Sequence, residues 1–282
     1  MKKLIERLLL FFVGLPLIVA SVFFLPHYNY LFLHIEILLA SLFAVLETRD
    51  ILSRRLPVPN LAVSLAIGLL IPLASFSYAV FDLPYRVITS AIAISAALIL
   101  CVEIVTSRKG EFSDSIGRLA SSFAILMYPG YLVMYLAIMT VRDHAGVALS
   151  LFFLMVFGCD SIAWFFGMLF GKGNRGVFAA SPNKSVAGFV GGIVGSMAAG
   201  VGAYMLFPDV FGRSLPRVLL LGLLTACASI VGDLVESVMK RSASMKDSGV
   251  VIPGRGGILD SIDSVLLAAP VYYILCDFLF GI

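Results

Sequence analysis

Nine stretches of predominantly apolar residues, each about 20 long as a membrane crossing requires, run through this chain. They cover residues 7–25, 30–46, 58–80, 84–105, 119–139, 146–170, 186–207, 216–235 and 264–281. Lipid offers no partner for backbone N–H and C=O groups, so only helices or closed barrels can cross it. The apolar–polar alternation of barrel strands is absent. The expected fold is all-α: a polytopic integral membrane protein with about nine transmembrane helices. Charged residues make up 13% of the 282, against about 25% in an ordinary soluble domain. A soluble protein this apolar could not cover its own surface. The first stretch follows MKKLIER and imitates a secretory signal, but no small-x-small cleavage site follows it. It is expected to stay as the first span.

The placement of Lys and Arg orients the spans, because cytoplasmic loops carry the excess. With nine spans, one side holds the N-terminus and loops 47–57, 106–118, 171–185 and 236–263. That side carries 16 of the 20 Lys and Arg, and the other side carries Arg86, Arg142, Arg213 and Arg217. The richer side is expected to face the cytoplasm of a bacterial-type inner membrane. Two regions follow: 1–140, with about five N-terminal spans, and 141–282, a C-terminal region with cytoplasmic loops 171–185 and 236–263, where charge concentrates. A net charge of +3 is too small to suggest nucleic acid. Cys101, Cys159, Cys227 and Cys276 lie singly in apolar runs and support neither a disulfide framework nor a zinc site.

Span 186–207 is rich in glycine, with Gly188/Gly192, Gly191/Gly195 and Ser196/Gly200 spaced four apart. Small residues on one face let helices approach closely. The spacing fits tight packing within the chain or a homodimer interface.

Residues 232–263 hold nine charges in 32 positions: Asp233, Glu236, Lys240, Arg241, Lys246, Asp247, Arg255, Asp260 and Asp263. Asp260 and Asp263 fall where the last helix should begin, after Gly254-Arg255-Gly256-Gly257, and a spacing of three puts them on one face. Two like charges at a membrane boundary call for a cation between them, and Mg²⁺ takes carboxylate oxygens together with substrate phosphates. The other reading is a pair of acids favoured by the helix dipole. Pro253-Gly254 and Gly256-Gly257 flank Arg255 just before a helix N-terminus, where backbone can approach phosphate. Asp233 and Asp160 lie inside spans, where ionisable groups usually line a cavity. A second candidate is the run Ser181 to Ser185 (SPNKS), in which Lys184 can meet a phosphate and Ser185 can cap the next helix. Its plainer reading is an ordinary N-cap beside a solvated lysine.

These residues together resemble the phosphatidate cytidylyltransferase (CDP-diacylglycerol synthase) family. Its signature is matched by Ser237, Lys240, Arg241, Lys246, Asp247, Gly249, Pro253, Gly254, Gly256, Gly257, Ile258, Asp260 and Asp263. Gly232 to Ser237, Asp160-Ser161 and SPNKS match as well, so the likeness covers roughly the C-terminal half. Arg255 stands where the family has His, and Ser261 where it has Arg. Arg255 keeps a cationic donor but cannot shuttle protons.

The resemblance implies transfer of CMP from CTP to phosphatidate, with Mg²⁺, alone or with a second cation. It implies catalytic roles for Asp233, Lys246, Asp247, Asp260 and Asp263. Metal ligation falls to Asp233, Asp260 and Asp263, with Asp160 a weaker candidate. Phosphate and nucleotide contacts fall to Ser181, Lys184, Ser185, Lys240, Arg241, Arg255, Gly256 and Gly257. Two rivals make different demands. A CTP-dependent polyprenol or phytol kinase would move the γ-phosphoryl group instead. A transporter would use Asp160 and Asp233 as a relay, and would have no need of the Lys246–Asp263 segment.

Overall fold

The computed structural model describes residues 20–23, 25–107, 110, 112–252 and 256–282. Most of the first apolar stretch, and Arg255 with Pro253 and Gly254, therefore lie outside the described residues. Among those described, eight helical spans are long and apolar enough to cross a membrane, as the expected all-helical fold requires. Extended pairing among them is confined to two isolated β-bridges, Arg175–Ser185 and Ile252–Gly256.

The spans are α1 (His27–Ser53), α2 (Leu61–Val80), α3 (Arg86–Thr106), a composite of α4 (Ser115–Ile125), a π-helical turn (Leu126–Tyr131) and α5 (Met134–Met139), then α6 (Ala145–Phe170), α7 (Val186–Leu206), α8 (Leu215–Ser242) and α9 (Leu259–Phe280). The chain forms two compact units. One comprises Met1–Val141 and Met239–Ile262; the other comprises Arg142–Val238 and Asp263–Ile282. Helices α8 and α9 each contribute residues to both.

In the first unit, the Asn60 side chain accepts from Val63 N and starts α2, supplying one of the partners a helix N-terminus lacks. Gly68 of α2 lets α1 and the π-turn come close. A Cβ there would overlap Val45 of α1, and one on Gly130 would stand 2.9 Å from Gly68 O. Arg118 donates to both oxygens of Glu103, at 3.0 and 2.8 Å, and clamps the start of α4 to the end of α3. Arg55 donates to Ser242 O at 2.6 Å and to Ser244 Oγ at 3.1 Å, which ties the end of α1 to the 239–262 segment.

In the second unit, α7 lays its small residues against α6. A Cβ on Gly191 would stand 2.6 Å from Phe166, one on Gly192 2.9 Å from Cys159 Sγ, and one on Gly195 2.6 Å from Ile162. The glycine spacing is thus used within the chain. Ser196 donates to Gly222 O of α8 at 2.9 Å, and Tyr272 of α9 donates to Ala148 O of α6 at 2.8 Å. Each hydroxyl finds an acceptor inside the bundle, as a polar group out of reach of water must.

Candidate active site

Most residues singled out in the sequence fall into two charged clusters, one in each unit. In the second unit, the α6–α7 connection is a folded loop. Gly176 donates to Lys184 O at 3.2 Å and Val186 to Asn174 O at 3.0 Å. Ser185 is buried and extended (φ −122°, ψ 154°), and its hydroxyl accepts from Gly188 N at 3.0 Å. That is an N-cap, so Ser185 spends its side chain on α7. Ser181 accepts at its carbonyl from Lys184 N, and the turn they form fixes where the lysine leaves the backbone.

Lys184 pairs with Asp233 of α8. Both remain partly open, at 25% and 32% exposure, so the pair can exchange partners with an incoming anion or cation. Ser237, one turn further on, donates to the other Asp233 oxygen at 3.5 Å. Asp263 of α9 is 7% exposed and Glu236 fully buried. Asp160 of α6, Asp233 and Glu236 all bear electrostatically on Asp263. Gly232 allows this approach, since a Cβ there would stand 2.5 Å from Asp263 O. The structure therefore groups Asp160, Asp233, Glu236 and Asp263, and Lys184 is the cation paired among them.

The cluster in the first unit surrounds the N-terminus of α9. Lys240 pairs with Asp260; their side chains are 11% and 9% exposed. Asp260 Oδ2 accepts from Ser248 N at 2.8 Å, from Gly257 N at 2.8 Å and from Ser248 Oγ at 2.9 Å. The reciprocal pair Ile252 N to Gly256 O and Gly256 N to Ile252 O, at 2.8 and 3.0 Å, closes the loop in front of the helix. Gly256 sits at φ +120°, and a Cβ there would stand 2.5 Å from Asp260 Oδ2. No other residue type fits both demands. Arg241 donates to Met245 O at 3.1 Å at the end of α8, while Lys246 and Asp247 stand exposed beside the cluster.

Glu47 completes this cluster, and nothing in the sequence singled it out. Its carboxylate accepts from Ile258 N at 2.9 Å, Leu259 N at 2.8 Å and Ser248 Oγ at 2.9 Å. The expected second span stopped at 46, which put Glu47 in a solvated loop. Helix α1 runs on to Ser53 and leaves Glu47 only 6% exposed. An acid buried within a spanning helix is the signal that would have found it. The Gly257 N–H, where backbone was expected to approach a phosphate, is here held by Asp260, and the neighbouring Ile258 and Leu259 N–H groups by Glu47.

Among the described residues, no three or more His, Cys, Asp or Glu stand close enough together to hold an ion. Mg²⁺ commonly takes one or two carboxylates and completes its octahedron with water and substrate phosphate. The all-oxygen acids around Asp263 suit that demand, and buried like charges favour a cation. Asp233 and Asp263, with Asp160 beside them, are the residues that fit.

A family model for cytidylyltransferases matches residues 5–279. The chain belongs to the cytidylyltransferase family. Curated relatives named phosphatidate cytidylyltransferase include one from Haemophilus influenzae, 33% identical over 182 residues, which are 62% of each chain. One from Staphylococcus saprophyticus is 36% identical over 66% of this chain and 68% of its own. One from Bacillus subtilis is 34% identical over 65% of this chain and 66% of its own. The chain thus spans about three fifths to two thirds of the length of these three relatives.

Proposed function

We propose that this chain transfers CMP from CTP to phosphatidate, giving CDP-diacylglycerol and pyrophosphate. The observation that carries the reading is the family match across residues 5–279, joined to the naming of its relatives as phosphatidate cytidylyltransferases. The physical chemistry fits. A phosphate oxygen of phosphatidate forms a new bond to the α-phosphorus of CTP, and the bond from that phosphorus to the β-phosphate oxygen breaks. The nucleophile is already ionised near pH 7, so no strong general base is needed, and Arg255 in place of a histidine is compatible with turnover. Bringing two polyanions together instead demands positioning and fixed positive charge.

Lys184, Lys240, Arg241, Lys246 and Arg255 supply that charge. Lys184 is the best placed to change partners, because its ion pair with Asp233 is partly open. Asp233 and Asp263 would hold Mg²⁺, which when bound neutralises charge on the phosphates and the departing pyrophosphate. Asp260 has a different part. Lys240 and two backbone N–H groups engage its carboxylate, and it orders the loop that carries Lys246 and Asp247. The spanning helices hold the diacyl substrate in the bilayer. The side that carries 16 of the 20 Lys and Arg faces the cytoplasm, where CTP is. A homodimer through the α7 glycines is left out of the proposal, because α6 already covers them.

The test is incubation of purified protein with CTP labelled in turn at the α- and γ-phosphate, Mg²⁺ and phosphatidate. Label from the α-position should enter lipid, and label from the γ-position should leave in pyrophosphate. Entry of the γ-label into lipid, with CDP released, would establish a kinase instead.

A further inference from the structure

Three donors converge on one buried carboxylate that the reaction itself does not use. Glu47 Oε1 accepts from Ile258 N, and Oε2 from Leu259 N and Ser248 Oγ, all within 2.8–2.9 Å. Those N–H groups stand at the very start of α9, Ile258 just before it and Leu259 its first residue, where a helix lacks intrahelical partners. An anion there is stabilised by the helix dipole as well as by the hydrogen bonds. Two glycines are fitted to the same side chain. A Cβ on Gly249 would stand 2.6 Å from Glu47 Oε1, and one on Gly257 would overlap both Glu47 and Ser248. Ser248 Oγ stands 2.9 Å from Glu47 Oε2 and also from Asp260 Oδ2. Through it, the position of Glu47 is passed to Asp260, and so to Lys240.

We infer that Glu47 is a positioning residue for the reaction, and that it acts as a built-in anion at the α9 N-terminus. It locks the Ser248–Asp260 segment to α1 and fills the place a free phosphate would otherwise take. The nucleotide phosphates are therefore held by lysine and arginine side chains, not by this helix end. The inference rests on the proposed CMP transfer for its kinetic readout alone.

The experiment compares wild type, Glu47→Gln, Glu47→Ala and Ser248→Ala, as full chains in detergent–phospholipid micelles. Two things are measured: kcat and KM for CTP, per folded protein, and hydrogen–deuterium exchange of the backbone. Gln keeps the size of the side chain but turns an N–H donor toward N–H groups. Its kcat should fall about 100-fold, the scale of a misplaced reacting group, with KM for CTP within about twofold of wild type because binding is spared. Exchange should quicken at residues 256–259 and stay unchanged in α2. Formate should restore part of the turnover of Glu47→Ala by occupying the vacated carboxylate position. A folded Glu47→Gln protein with wild-type kcat overturns the inference, as does lost turnover with unchanged exchange at 256–259. If neither Glu47 variant folds, Ser248→Ala reads the same contact from the other side, and wild-type turnover and exchange there overturn it. A wild-type protein that transfers no CMP would sink the proposed reaction instead, leaving the exchange result to decide the role of Glu47.

Discussion

Asp260 and Asp263 stand three residues apart on α9, but they keep different company. Asp260 is paired with Lys240, and both side chains are nearly buried. Asp260→Asn takes the Asp260 charge away from the Lys240 ammonium, and breaking a buried pair of this kind costs about 3–5 kcal/mol. Asp263 is buried and feels the charges of Asp233, Glu236 and Asp160, so Asp263→Asn relieves repulsion. Thermal unfolding in detergent without Mg²⁺ should show the first variant clearly less stable than wild type and the second equal or more stable. Turnover should nearly vanish in both, for different reasons. A stable Asp260→Asn protein would mean that the Lys240–Asp260 pair adds little to stability. Lys184→Ala should lower kcat/KM for CTP about ten- to a hundred-fold, the scale of one charge-assisted contact worth about 1.5–3 kcal/mol. Unchanged kinetics would return the SPNKS run to a cap and nothing more. At this scale the sequence marked the charged residues but could not give their partners. The Asp260–Asp263 spacing suggested one shared cation, and only the folded loop shows that Asp260 has a lysine and two N–H groups of its own.

Among elements, the spans were legible because a 20-residue apolar run has few alternatives to a crossing helix. Expected edges at 186–207 and 264–281 meet observed helices Val186–Leu206 and Leu259–Phe280. The last helix starts five residues early because Asp260 and Glu47 cap its polar first turn, which hydropathy alone cannot register. Glu47 was illegible for a related reason: its donor partners lie 201 to 212 positions away, and no local pattern encodes them. The glycine stripe left two readings open, and the contacts of α7 with α6 now give it a use within the chain. Gly191→Val should therefore cost about 1–3 kcal/mol of stability through overpacking against Phe166. The measurement is the unfolding midpoint in detergent, alongside the mass of the particle. A fall in mass at an unchanged midpoint would instead place that stripe between chains.

For the molecule as a whole, the charge count predicts an orientation that single-cysteine labelling can read. With the native cysteines replaced, Asp82→Cys in the α2–α3 connection should react with an impermeant reagent in intact cells. Ser113→Cys, before α4, should react only after the membrane is opened. The reverse pattern would turn the protein over and put its charged loops outside. The partition of the chain into units has a consequence for its synthesis. Residues Met239–Ile262 group with the N-terminal helices, so α1 is made long before the donors that Glu47 will accept from. Those donors lie 211 and 212 positions downstream, an interval of about 10–40 s at ordinary translation rates. Throughout it, α1 is inserted with a carboxylate that has nothing to bind but water. Its place six residues short of Ser53 keeps Glu47 near the end of α1 during that interval.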